Sequence, residues 1–144
     1  MTALAILLFV VVSALAVLHA HWGLGGIWPA SSVEGLAKAA VGTPRITRMP
    51  SPTSCFLVAA ALSGIAVWPL FAAGFLPEAW PRELTLIAGT GIAAVFIGRG
   101  IAGYTSAWRR HFSEQPFARL DTLAYSPLCL GLGAGFIALL ITKG

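Results

Sequence analysis

Apolar residues in this chain fall into long unbroken runs, and polar residues collect between them. The runs extend from Leu4 to about Trp22, Cys55 to Phe75, Leu84 to Tyr104 and Ser126 to Thr142. A helix rising about 1.5 Å per residue needs about 20 apolar residues to cross about 30 Å of hydrocarbon. The pattern therefore predicts an all-α polytopic membrane protein: a compact four-transmembrane-helix bundle in one membrane domain, residues 1–144, with a long first cytoplasmic loop. The fourth run is the shortest and is expected to stand nearly upright or to thin the bilayer locally. Of the fourteen Asp, Glu, Lys and Arg residues, only Arg99 falls inside a run.

Composition excludes the alternatives. Charged residues are 10% of the chain and hydrophobic residues 58%, against roughly 25% charged in soluble domains. Such a chain cannot cover a soluble surface, and it is too apolar for disorder. Two cysteines make no disulfide scaffold. Ala14-Leu15-Ala16 resembles a signal-peptide cleavage site, but no Lys or Arg precedes the apolar run, so the first segment is read as a retained span.

Basic residues set the expected orientation. Lys38, Arg45 and Arg48 lie in the first loop and Arg109, Arg110 and Arg119 in the third; Arg82 and Lys143 lie on the opposite side. Six against two places loops one and three in the cytoplasm and both termini outside, in a cell (inner) membrane. The sequence pI of 9.7 then points to an anionic leaflet rather than nucleic acid. Trp22, Trp28, Trp80 and Trp108 fall near the expected interfaces, while Trp68 is deeper. Cys55 and Cys129 fall near the reducing side and read as free, buried thiols.

Helices in lipid associate through close contact at small residues. Gly91, Ala94, Gly98 and Ala102 form one such stripe, Gly131, Gly135, Ala138 and Thr142 another, and Ala60, Ser63 and Gly64 a third. They serve packing within the chain or a homo-oligomer through Gly91, Gly98, Gly131 and Gly135. Pro69 is expected to kink the second span. Gly98 to Gly103 matches GxGxxG, but inside a membrane helix it lacks the strand and βαβ setting of a dinucleotide site. In loop one, Ser31 and Glu34 have capping-box spacing. This predicts a short helix with Val33, Leu36, Ala37, Ala40 and Val41 on its apolar side, closed by Gly42. Loop two, Leu76 to Glu83, reads as a short Pro-bracketed turn.

The chemistry-bearing residues gather at the cytoplasmic end. Arg99 lies about five residues, or about 7.5 Å, below it, where it anchors a helix end or pairs with Asp121 or an anionic ligand. His19 and His21 end the first span and diverge by about 200° on an unbroken helix. Their spacing alone supports no metal or haem site, and no cofactor is expected. Ser126 reads as an N-cap and Pro127 as the first residue of the fourth helix. His19, His21, Trp22, Arg99, Asp121 and Tyr125 thus form a candidate ligand-binding cluster from three helices.

The run from Leu18 to Gly26 (LHAHWGLGG), Arg99 near the end of the third helix and Tyr125 to Leu130 (YSPLCL) together resemble a family of small bacterial membrane proteins known as domain of unknown function 3995. The resemblance implies a bacterial four-helix inner-membrane protein and carries no activity, substrate or cofactor. Three functions follow as expectations. The first is non-enzymatic binding of a lipid headgroup, small anion or partner protein at the cluster. The second is a membrane-embedded enzyme on a lipid-like substrate, with histidine as base and Asp121 orienting it. The third, a small transporter or channel subunit, requires polar residues along the bundle that the second and fourth spans lack.

Overall fold

The computed structural model describes residues 1–77 and 80–143 of the chain, the side chain of Lys143 excepted. Among these residues all regular structure is helical: α1 (Thr2–Gly23), α2 (Val33–Ala40), α3 (Pro52–Ala72), α4 (Arg82–Ala102), α5 (Ser106–His111), α6 (Phe117–Leu120), a π-helical turn (Asp121–Tyr125) and α7 (Ser126–Lys143). Four helices are long and apolar enough to cross a membrane: α1, α3, α4 and the continuous stretch Phe117–Thr142. Within the second loop, Glu78 and Ala79 lie outside the described residues.

The spans pair as two hairpins, α1 along α3 and α4 along α7, with fewer contacts between the pairs. Where they meet, Ala5, Leu8, Val12, Ala66, Trp68, Ala93, Phe96, Leu132, Phe136 and Leu139 form the core. Phe136 is its fully buried centre, with ring centroids 5.5 Å from Trp68 and 5.8 Å from Phe96. Trp68 is buried, and its indole N–H donates to the Thr85 carbonyl at 2.8 Å, so its polar edge is satisfied away from water. The outward faces carry Leu7, Val17, Leu57, Ile87, Val95 and Ile141, all more than half exposed. An apolar surface on every span suits a lipid solvent.

Small residues do mediate close packing, but on a different face of α4 from the expected stripe. Thr85, Gly89, Ala93, Phe96 and Gly100 are the buried positions of α4. A Cβ on Gly100 would sit 2.6 Å from Leu130, and one on Gly133 the same distance from Ile97. Gly91 and Gly98 stand two residues out of phase, about 200° round the helix, and nothing lies within 4 Å of a Cβ built on them. Gly131 and Gly64 are equally open, whereas Gly135 packs against Leu8 at 2.9 Å. Ala60, Ser63 and Gly64 are exposed; Cys55, Ala59, Ala66, Trp68 and Pro69 are the buried positions of α3. That helix continues through Pro69 to Ala72, so the missing N–H falls in its last turns.

Two helix starts also differ from expectation. Ser32, not Ser31, caps α2, its hydroxyl accepting from Gly35 N–H at 3.0 Å, while Glu34 pairs with Lys38. This side-chain bond to Glu34 raises the Lys38 pKa above its ordinary value. Ser126 caps nothing. It sits in helical backbone (φ −67°, ψ −44°) inside a helix that starts nine residues earlier, at Phe117. The fourth span is therefore 26 residues long rather than the shortest of the four, and it carries Arg119 and Asp121 within it. Pro127 explains the π turn. A proline ring clashes with the carbonyl four residues before it, here Leu123, and one extra residue in the turn gives that carbonyl room.

Loops one and three fold together over one end of the bundle. Glu114 N–H donates to the Gly42 carbonyl at 3.0 Å, and Arg45 N–H donates to Glu114 Oε2 at 3.0 Å. Tyr125 donates its hydroxyl to the Ala39 carbonyl at 3.0 Å, tying α2 to the π turn. Gly42, at φ +77°, closes α2 in the left-handed region, and the Phe117 ring occupies the space a Cβ would need.

Candidate functional site

At this loop-bearing end Asp121 is the buried acid, its side chain 3% exposed. Arg99, from the last turn of α4, donates Nη2–H to Asp121 Oδ1 at 2.6 Å. Ser126 donates its hydroxyl to the same oxygen at 3.3 Å, and Trp108 Nε1–H reaches Asp121 Oδ2 at 3.0 Å. Arg99 Nη1 extends to Ser126 Oγ at 3.4 Å, and the guanidinium lies 4.3 Å above the Trp108 ring. Both charges are thus compensated and both carboxylate oxygens occupied. Unpaired charges in such a setting would be costly.

Local sequence builds each part. A π turn has more than four residues per turn, so Ser126, five residues beyond Asp121, comes to lie over its carboxylate. Thr105 caps α5 by accepting from Trp108 N–H at 3.3 Å, which aims the indole back toward the fourth span. Gly103 lets α4 and the fourth span meet. A Cβ there would lie 2.9 Å from Asp121 Oδ2 and overlap the Ser126 hydroxyl.

Of the six residues anticipated, the structure joins Arg99 to Asp121 and places Tyr125 beside them, with its hydroxyl turned to α2 and its ring 5.7 Å from Phe117. His19 and Trp22 stand apart. Their rings meet edge-on at 4.9 Å and wall a separate pocket against loop one and α3. His21 is exposed and covers Gly26, because α1 remains helical through Gly23 and keeps the two histidines on different sides. Trp108, Ser126 and Gly103 were missed as site residues. Trp108 read as an interfacial anchor and Ser126 as a cap; the Asp121–Ser126 spacing was the available signal, hidden by assuming ordinary α geometry.

Beside the ion pair lies a pocket of about 210 Å³ walled by Trp108, Arg109, Phe112, Ser113, Ala118 and Asp121. Arg109 Nη1 donates to Thr122 Oγ1 at 2.6 Å. Among the described residues the ion pairs are Arg99–Asp121 and Lys38–Glu34, so Arg109 has no carboxylate partner there. No group of three or more His, Cys, Asp and Glu side chains is gathered among these residues.

Four apolar helices with a compensated arginine–aspartate pair at one end define a multi-pass helical membrane protein. The chain belongs to the family described as protein of unknown function (DUF3995), which matches residues 12–136 and so takes in α1 from Val12, the ion pair and most of α7. No curated protein and no solved structure matches it.

Proposed function

We propose that the loop-bearing end faces the cytoplasm and binds the anionic headgroup of a membrane lipid in the pocket between Trp108, Arg109 and Phe112. The observation that carries this reading is the division of labour between two arginines. Arg99 is neutralised by Asp121, so it organises the end of the bundle. Arg109 keeps its charge at the wall of a pocket, held in place by Thr122. Asp121 also borders that pocket, but its two oxygens are committed to Arg99, Ser126 and Trp108. Trp108 and Phe112, 4.3 Å apart, supply an aromatic wall of the kind that sits at a headgroup boundary. Lys38, Arg45, Arg48 and Arg110 on the same two loops, with Arg119 in the first turn of the fourth span, favour the cytoplasmic orientation.

The reading with histidine as base and Asp121 orienting it gains no support, since Asp121 is held by Arg99, Ser126 and Trp108 while His19 lines a different pocket. A transport path gains none either, the buried polar side chains among the described residues being Thr85, Asp121 and Ser126. The test uses the full chain in nanodiscs of mixed phosphatidylglycerol and phosphatidylcholine, with co-purifying lipid counted by native mass spectrometry. A basic residue at the membrane surface contributes about 1 kcal/mol toward anionic lipid, so Arg109→Gln is expected to lower phosphatidylglycerol retention about fivefold. Equal retention by wild type and variant refutes the proposal.

A further inference from the structure

The second pocket at the loop-bearing end holds chemistry of a different kind. It encloses about 160 Å³ and is walled by His19 and Trp22 of α1, Met49 of loop one, and Ser54, Cys55 and Val58 of α3. We infer that His19, Met49 and Cys55 form a binding site for a soft monovalent metal ion of the copper(I) class.

The argument starts from the imidazole. His19 Nδ1 lies 2.7 Å from the Leu15 carbonyl oxygen. A carbonyl only accepts, so Nδ1 carries the proton and the Nε2 lone pair is free, with no hydrogen-bond donor on it among the described residues. A backbone carbonyl on one ring nitrogen is the usual outer support of a metal-ligating histidine, since it fixes both tautomer and ring plane. The Trp22 ring, edge-on at 4.9 Å, further restricts that plane.

The other two donors are sulfurs. Cys55 is a free thiol, 5% exposed, in the first turns of α3. Met49 is half-buried in the extended segment before Pro50. A thiolate, a thioether and an imidazole make a soft donor set of the type that selects copper(I). Hard cations prefer oxygen ligands, and structural zinc takes four ligands from Cys, His and carboxylate. On binding, the Cys55 thiol gives its proton to solvent and a sulfur–metal bond forms. The ion keeps its oxidation state, and the thiolate cancels its single positive charge, so no net charge enters the apolar end of the bundle. The donors stand at positions 19, 49 and 55 without a recognisable spacing; loop one, folded back over α1 and α3, brings them to one cavity.

The experiment titrates the purified full chain in detergent with copper(I), under anaerobic reducing conditions, against the chromogenic chelator bicinchoninate. One ion per chain is expected, with sulfur and nitrogen in the X-ray absorption shell. Changing a metal's outer support alone costs 10–100-fold in affinity, so Cys55→Ser and Met49→Leu are each expected to lose more than about tenfold, while Cys129→Ser binds as wild type does. No competition with the chelator, or equal affinity in the Cys55→Ser and Met49→Leu variants, overturns the proposal. A measurement on the wild-type chain covers the case in which a variant does not fold: copper(I) is expected to protect Cys55, and not Cys129, from maleimide labelling. Equal labelling of Cys55 with and without copper(I) overturns it as well.

Discussion

Removing Arg99 should destabilise the protein more than removing the acid it pairs with. In Arg99→Met the Asp121 carboxylate remains, 3% exposed, with hydrogen bonds from Trp108 and Ser126 but no cation. Breaking a buried pair in this way costs about 3–5 kcal/mol. In Asp121→Asn the amide oxygen still accepts a hydrogen bond, and the stranded guanidinium is 27% exposed and able to reach water. A cost of about 1–3 kcal/mol is expected there. The double variant Arg99→Met/Asp121→Leu removes both charges together, and apolar replacement of a buried pair is often neutral. With Asp121→Leu measured as the matching single variant, a coupling energy of up to about 3 kcal/mol is therefore expected across the cycle of Arg99→Met, Asp121→Leu and the double. The assay is reversible unfolding of the full chain in mixed micelles with increasing dodecyl sulfate, followed by circular dichroism and by the fluorescence of its five tryptophans. Single-variant costs that add to within about 0.5 kcal/mol of the double variant, or an Arg99→Met variant as stable as wild type, would refute the reasoning.

Two further substitution pairs test the packing and the caps. Gly103→Ala drives a methyl into Ser126 and to within 2.9 Å of Asp121 Oδ2, and is expected to cost about 1–3 kcal/mol in the same assay. Gly98→Ala, with nothing within 4 Å, is expected to be neutral or to stabilise by up to about 1 kcal/mol through helix propensity. Ser32→Ala removes the cap of α2 and should raise amide exchange across residues 33–40, corresponding to about 1 kcal/mol. Ser31→Ala should leave that exchange unchanged, and equal effects of the two would refute the cap assignment.

The four spans were legible because length and hydropathy decide them, and lipid rewards both without regard to detail. The pairing of Arg99 with Asp121 was legible only as one option beside a helix-end anchor and an anionic ligand: two opposite charges near one end of an apolar bundle can compensate each other, but a long arginine stem can also reach the interface. Phase was not. Gly89 and Gly100, with Gly103 just past its end, share α4 with Gly91 and Gly98, and both sets recur at helical spacing. The choice between them falls to bulky partners on other helices, namely Trp68, Leu130 and the Asp121–Ser126 pair. Pro127 misled in another way. A serine followed by proline marks a helix start in local terms, but a widened turn lets the helix run through. That solution depends on Phe117 packing under loop one, beside Gly42 and Tyr125.

The pairing of spans also bears on how such a chain enters its membrane. Arg99 and Asp121 belong to the same hairpin, the one made by α4 and the helix beginning at Phe117. Their charges can cancel as soon as that hairpin closes, before it docks on α1 and α3. Docking of the two hairpins around Phe136 is then not what neutralises either charge: the core forms between two units, one of which already holds its own ion pair.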